Sequence, residues 1–124
     1  AFSHAGILRF EGQTFTYDPT NPESACYRDL YPEPPPADAV PSCSQAGVLG
    51  VLGGILGTIQ ATEALKCILG TGDLLVNRLM HYDAKKMDFR TFKFKRNKHW
   101  LPGAPHPTIT ELLDHQIPTC DLKG

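Results

Sequence analysis

The sequence predicts an α/β fold in which two antiparallel β-hairpins flank one long buried helix, joined by a long proline-rich crossover loop and followed by a short C-terminal helix. Three observations carry this prediction. Residues 42–70 are apolar and glycine-rich, with helix signals at both ends. Residues 6–17 and 78–95 each set alternating aromatic and polar side chains around a turn, and residues 18–41 hold seven of the eleven prolines. At 124 residues the chain suits one domain with a single core.

The first strands are expected at residues 6–10 and 13–17, where Phe15 and Tyr17 alternate with Thr14 and Thr16, with Glu11-Gly12 as the tight turn. Residues 18–41 include Pro34-Pro35-Pro36. Proline fixes φ and has no N–H to donate, so little regular structure is expected there. A connection this long in a compact domain is commonly a lid or a crossover.

The helix is expected over residues 43–69. Ser42-x-x-Gln45 has the form of a capping box, which puts Cys43 in the first turn, and Gly70-Thr71-Gly72 closes the far end with Lys66 against the negative pole. Gly47, Gly50, Gly54, Gly57 and Ala61 recur every three or four residues and form a stripe without side chains. Each helical glycine costs about 1 kcal/mol relative to alanine, so another backbone is expected to lie close along it. Val48, Leu49, Val51, Leu52, Ile55, Leu56 and Ile59 surround the stripe, which predicts burial all round. From Gln60 the pattern turns amphipathic: Gln60, Glu63 and Lys66 share a polar side, while Ala64, Leu65, Ile68, Leu69 and Cys67 are expected in the core. The apolar run 46–59 is too short for a membrane span, and Gln60 and Glu63 interrupt its extension.

A second hairpin is expected from strands at 78–82 and 88–95 around a turn at 83–87. Residues 97–107 read as loop. Thr108 to Glu111 repeats the capping-box pattern and opens a short helix through Leu112 and Leu113, with a loose tail over 116–124.

Net charge is −1, with 20% charged and 41% hydrophobic residues, so nothing global attracts nucleic acid or membrane. Cys26, Cys43, Cys67 and Cys120 are irregularly spaced and one falls within the helix, which favours reduced thiols in a cytoplasmic protein over a disulfide framework. Ala1 leads almost at once into strand-like sequence, so the chain is expected to be cut from something larger.

Several stretches in order, Arg9 to Gln13, Cys26-Tyr27-Arg28-Asp29-Leu30-Tyr31-Pro32, Pro41-Ser42-Cys43-Ser44-Gln45-Ala46-Gly47-Val48-Leu49-Gly50, Gln60 to Lys66, Tyr82-Asp83-Ala84 and His106 to Leu112, resemble the second half of the MoeB/ThiF/HesA family, relatives of the ubiquitin-activating enzymes. The resemblance implies the C-terminal half of a Rossmann-like ThiF-type fold over residues 1–124, nearest to MoeB and its rhodanese-fused relatives. It implies an adenylyltransferase that uses ATP and magnesium to adenylate the C-terminal glycine of a ubiquitin-like sulfur carrier such as MoaD or ThiS, in molybdopterin or thiamine biosynthesis. The expected partners are that carrier, the missing N-terminal half and a second copy of the enzyme. This chain would supply the crossover loop, the candidate thiol and a carrier-docking or dimer surface.

Cys43 matches the cysteine that in some members forms a thioester, persulfide or acyl-disulfide with the carrier, and a thiol in a helix first turn has a lowered pKa. The plainer alternative is a small buried hydrophobe under the loop. The family's nucleotide loop belongs to the absent half. Gly50-x-x-Gly53-Gly54-x-x-Gly57 does not fit G-x-G-x-x-G, so no cofactor-binding residue is expected here. Many relatives hold zinc with two C-x-x-C pairs, but the matching positions read Cys26, Asp29, Trp100 and Gly103. A closed site needs four ligands, and the spacing of His99, His106 and Cys120 does not supply them, so no zinc is expected and Trp100, Leu101 and Pro102 are read as apolar packing in its place.

Two readings come from other classes. The chain could be a noncatalytic interaction or dimerisation module. Alternatively, Lys85, Lys86, Arg90, Lys93, Lys95, Arg96 and Lys98 interleave with Phe89, Phe92 and Phe94 as in RNA-binding surfaces. A strand with a buried apolar face and solvated lysines, or a docking face for an acidic carrier, accounts for the same residues, and a pI near 6.6 lacks the basic footprint of nucleic-acid binders.

Overall fold

The computed structural model describes residues 1–33, 35–36, 46–97 and 110–111. Its elements in chain order are β1 (Phe2–Leu8), β2 (Glu11–Tyr17), α1 (Tyr27–Leu30), α2 (Val51–Leu69), β3 (Arg78–Asp83) and β4 (Asp88–Lys93). The expected hairpins are both present, and they merge. β2 pairs with β3, giving one antiparallel sheet in the order β1-β2-β3-β4.

The first hairpin turns earlier than the sequence indicates. Leu8 pairs with Glu11, so Arg9 and Phe10 form the loop, with Arg9 at φ 54. Glu11 and Gly12 lie in β2 instead. Gly12 serves close packing rather than a turn, since a Cβ there would overlap Leu56 Cδ1 of α2. The loop is held from both sides: Arg9 N–H donates to Gly47 O at 3.0 Å, Leu49 N–H to Arg9 O at 2.8 Å, and Ala84 N–H to Phe10 O at 2.9 Å.

The sheet has one face under α2 and one under α1. Beneath α2, Leu52 and Leu56 are fully buried with Thr14, Thr16 and Tyr82, and Tyr82 stacks on Phe89 with ring centroids 4.4 Å apart. On the other face Phe15 is the centre. It meets Phe2 and Phe94 edge-on at 6.1 and 5.5 Å and His4 at 5.4 Å, and Tyr27 of α1 closes over His4 at 4.9 Å. Burial there holds the His4 pKa below its ordinary 6.5.

The single helix expected over 43–69 is interrupted. Gly47 takes φ +68 and Val48 bridges in parallel to Arg9, so α2 begins at Val51. Its C-terminus is as expected, with Gly70 in the left-handed region at φ 61 and its N–H on Lys66 O. The Ser42-x-x-Gln45 cap lies outside the described residues.

Leu52 and Leu56 are buried as expected, but in the second half of α2 burial runs opposite to the pattern: Glu63 is buried, whereas Leu65, Ile68 and Leu69 are 59%, 80% and 71% exposed, and Cys67 is exposed too. The polar side is the one that meets the sheet. Glu63, 3% exposed, accepts Thr16 Oγ1 at 2.8 Å and Leu75 N–H at 2.6 Å and pairs with Lys66. Lys66 Nζ donates to Asp73 O at 2.6 Å, and Gln60 Nε2 donates to Ser3 O at 2.8 Å. A buried carboxylate is tolerated because each partner is supplied, and the sheet beneath this half of the helix offers hydroxyl and backbone groups to match. The glycine stripe is bare: a Cβ at Gly50, Gly53, Gly54 or Gly57 would meet nothing within 4 Å among the described residues. By length and composition α2, 19 residues with mean hydropathy 1.2, could cross a membrane. Here its polar side chains are committed to the sheet and the following loop.

The proline-rich connection holds more structure than expected. Ser24 is buried and its Oγ accepts Asp18 N–H at 3.0 Å, and α1 adds one turn. Asn77, at φ 59, accepts Ala25 N–H at 2.7 Å and donates to Glu23 O at 3.0 Å, fastening the loop to the start of β3. The segment 37–41, the C-terminal helix expected from Thr108 and the tail 116–124 lie outside the described residues, Thr110 and Glu111 excepted.

Two outcomes are expected. Glu63→Ala strands the Thr16 hydroxyl and the Leu75 N–H and should cost about 2–4 kcal/mol in urea unfolding, while Gly12→Val forces Leu56 out of place and should cost about 1–3 kcal/mol. Burial alone raises the Glu63 pKa, but the bonds from Leu75 N–H, Lys66 and Thr16 outweigh it and hold it below the ordinary 4.5. Its contribution is therefore complete above that value and is lost as pH falls through the folded-state pKa, so Glu63→Gln should flatten the acid limb of the stability curve.

Candidate functional site

Cys43, the catalytic candidate, lies outside the described residues, but the chain just after it is anchored. Residues 47–49 lie against the β1–β2 loop through the two hydrogen bonds to Arg9. That end of the sheet also carries the β3–β4 loop, where Lys85 Nζ sits 4.7 Å from the Phe10 ring centroid. The segment that follows Cys43 is thus delivered to a corner bearing Arg9, Phe10, Lys85 and Lys86. α2 begins at Val51, eight positions after Cys43, so the first turn of that helix does not include residue 43.

The other cysteines are arranged differently from expectation. Cys67, expected in the core, is exposed because α2 turns its polar side inward. Cys26 is half-buried, and burial pushes its thiol up from 9.0. Cys120 lies outside the described residues.

Of the four positions matched to the zinc ligands, Cys26 and Asp29 are described. Asp29 Oδ2 accepts Cys26 N–H at 2.6 Å and Oδ1 accepts Asn97 N–H at 2.7 Å. Trp100, Leu101, Pro102, Gly103, His99 and His106 lie outside. Among the described residues no three His, Cys, Asp or Glu side chains gather as a metal site.

The basic stretch does not bury one apolar face. β4 is an edge strand away from the main contacts of α2, which fall on β1 and β2, so Phe89 and Phe92 are 51% and 53% exposed even though Phe89 stacks on Tyr82, while Phe94 packs against Phe15. Its charges are partly neutralised: Arg90 pairs with Asp88 at 2.7 Å and Lys86 with Asp83 at 3.6 Å. The shallow groove beside them, lined by Glu11, His81, Asp83, Asp88, Arg90 and Phe92, mixes both signs of charge.

Among the described residues the larger unpartnered surface is the outer side of α2, where Val51 (63% exposed), Leu65, Ile68 and Leu69 share the helix with the bare glycines. Side-chain-free backbone next to aliphatic side chains admits another backbone at close range. The sequence located this stripe, and the backbone expected along it is not among the described residues. It gave no sign that Glu63 is buried, since a carboxylate at helical spacing reads as solvated until Thr16 and Leu75 are brought to it.

The sequence model of the ThiF family matches residues 1–102. The chain is 43% identical over 112 residues to the probable adenylyltransferase/sulfurtransferase MoeZ of Mycobacterium tuberculosis, covering 89% of this chain and 27% of that protein. It is 42% identical over 120 residues to the sulfur carrier protein adenylyltransferase of Thermus thermophilus, covering 94% of this chain and 44% of that protein. To the adenylyltransferase and sulfurtransferase MOCS3 of Bos taurus it is 41% identical over 113 residues, covering 90% and 24%. The chain thus spans less than half the length of these relatives. With the family model matched over most of its residues, this chain belongs to the ThiF family.

Proposed function

We propose that the chain is the C-terminal part of an ATP-dependent enzyme that adenylates the C-terminal glycine of a ubiquitin-like sulfur carrier in the cytoplasm, serving molybdopterin or thiamine biosynthesis. The observation that carries this reading is the bare glycine and aliphatic side of α2 in a chain that spans under half of its adenylyltransferase relatives. A face of this kind suits the remainder of the same domain, and a second copy of the enzyme extends the assembly. ATP supplies the adenylyl group and magnesium offsets its phosphate charge, both on residues outside this chain.

Cys43 is the acceptor in this reading. Its thiolate attacks the glycyl carbonyl of the adenylated carrier, the new S–C bond replaces the C–O bond, and AMP leaves with the electron pair. The crossover loop precedes Cys43 in the sequence, the hairpin corner bearing Arg9, Phe10, Lys85 and Lys86 holds residues 47–49 that follow it, and these are the docking elements for the carrier. The mixed charges around Arg90 and Lys86 suit a folded protein better than a phosphate backbone.

The noncatalytic interaction module draws on the same face of α2, and activity separates the two. The full-length enzyme should exchange pyrophosphate in the presence of its carrier, and Cys43→Ala should leave that exchange within about twofold while lowering sulfur transfer by about 100-fold or more. Unchanged sulfur transfer would make Cys43 a packing residue; absent exchange would favour the interaction module. The chain alone should self-associate in sedimentation, and Ile68→Lys should shift it toward monomer.

A further inference from the structure

The loop that leaves β2 is tied to the exit of β4 at several points. Arg96 donates to Pro22 O, Asn77 holds Glu23 and Ala25, and Phe94 N–H donates to Asn77 O at 3.1 Å. Asp29 extends the tie to α1 itself. Asp29 presents one oxygen to Cys26 N–H at 2.6 Å, capping its own helix, and the other to Asn97 N–H at 2.7 Å, 68 residues further on.

Relatives that hold zinc at the matching positions join the same two segments through a metal. The residues present here do not fit that group. Position 29 offers a carboxylate whose two oxygens are each directed at a backbone N–H, and the paired positions 100 and 103 carry Trp and Gly, which ligate nothing. A carboxylate accepting two backbone N–H groups makes charge-assisted bonds, stronger than neutral ones and oriented by both donors.

We propose that Asp29 is a metal-free clasp, bridging the start of α1 and the backbone after β4 so that hydrogen bonds hold the crossover loop where relatives use zinc. It follows that the loop leading toward Cys43 is set by a side chain rather than by metal supply. This inference stands on the Asp29 contacts and is independent of the catalytic reading.

Hydrogen exchange on the full-length protein tests it, with metal content measured on the same sample. The Cys26 and Asn97 amides should be protected equally with and without a strong chelator. In Asp29→Asn the amide can accept only one of the two bonds, so at least one of the two amides should exchange at least about tenfold faster while β2 and β3 amides keep their rates. A second variant, Asn97→Pro, removes the donor without touching Asp29, and should speed limited proteolysis within residues 18–33 by about fivefold or more. Faster exchange of the wild-type amides on chelation, about one zinc per chain, unchanged protection in Asp29→Asn, or unchanged proteolysis in Asn97→Pro would each overturn the clasp.

Discussion

Helix α2 is oriented by its polar side, and the rest of the molecule depends on that choice. Glu63 sits in the helix–sheet interface with Thr16, Leu75 N–H and Lys66 as partners, and Gln60 reaches the β1 backbone one turn earlier. An ionised group in such a place is stable only when its bonds are complete, and rotating the helix would withdraw Glu63 and strand the Thr16 hydroxyl and the Leu75 N–H without their acceptor. The rotation is therefore locked. Two leucines, Leu52 and Leu56, fill what remains of the interface, and Gly12 lets Leu56 approach the strand.

What the lock leaves outside is the source of the functional reading. Leu65, Ile68, Leu69 and Val51 point away from the sheet beside glycines that nothing in the described chain approaches. Helical glycine is costly, and among the described residues this row has no neighbour, which leaves a side where another backbone fits closely. The chain belongs to the ThiF family, and the relatives it matches are more than twice as long.

The connections are organised by residues in unusual backbone states and by side chains that reach across the fold. Arg9, Asn77 and Met87 all have positive φ, and each lies where a strand begins or a hairpin turns. Asn77 and Asp29 then use their side chains to gather the crossover loop onto the ends of β3 and β4. The chain thereby reaches the corner formed by the two hairpin loops, where Arg9 receives the segment that follows Cys43.

Local chemistry made much of this legible in the sequence. Alternation marked the strands, Gly70 marked the end of α2, the prolines marked a long connection, and the motif series marked the family, because each of these depends on near neighbours in the chain. The first turn was misplaced because Gly12 meets Leu56, 44 positions away in sequence, and not its own neighbours. The continuous helix was broken by the pairing of Val48 with Arg9, which no local pattern encodes. Likewise, periodicity separated the polar and apolar sides of α2 correctly but could not say which side faces the sheet. Tertiary structure decided that, because the answer rests on whether Thr16 and the Leu75 backbone arrive to satisfy Glu63, and those partners are assembled only when the sheet is.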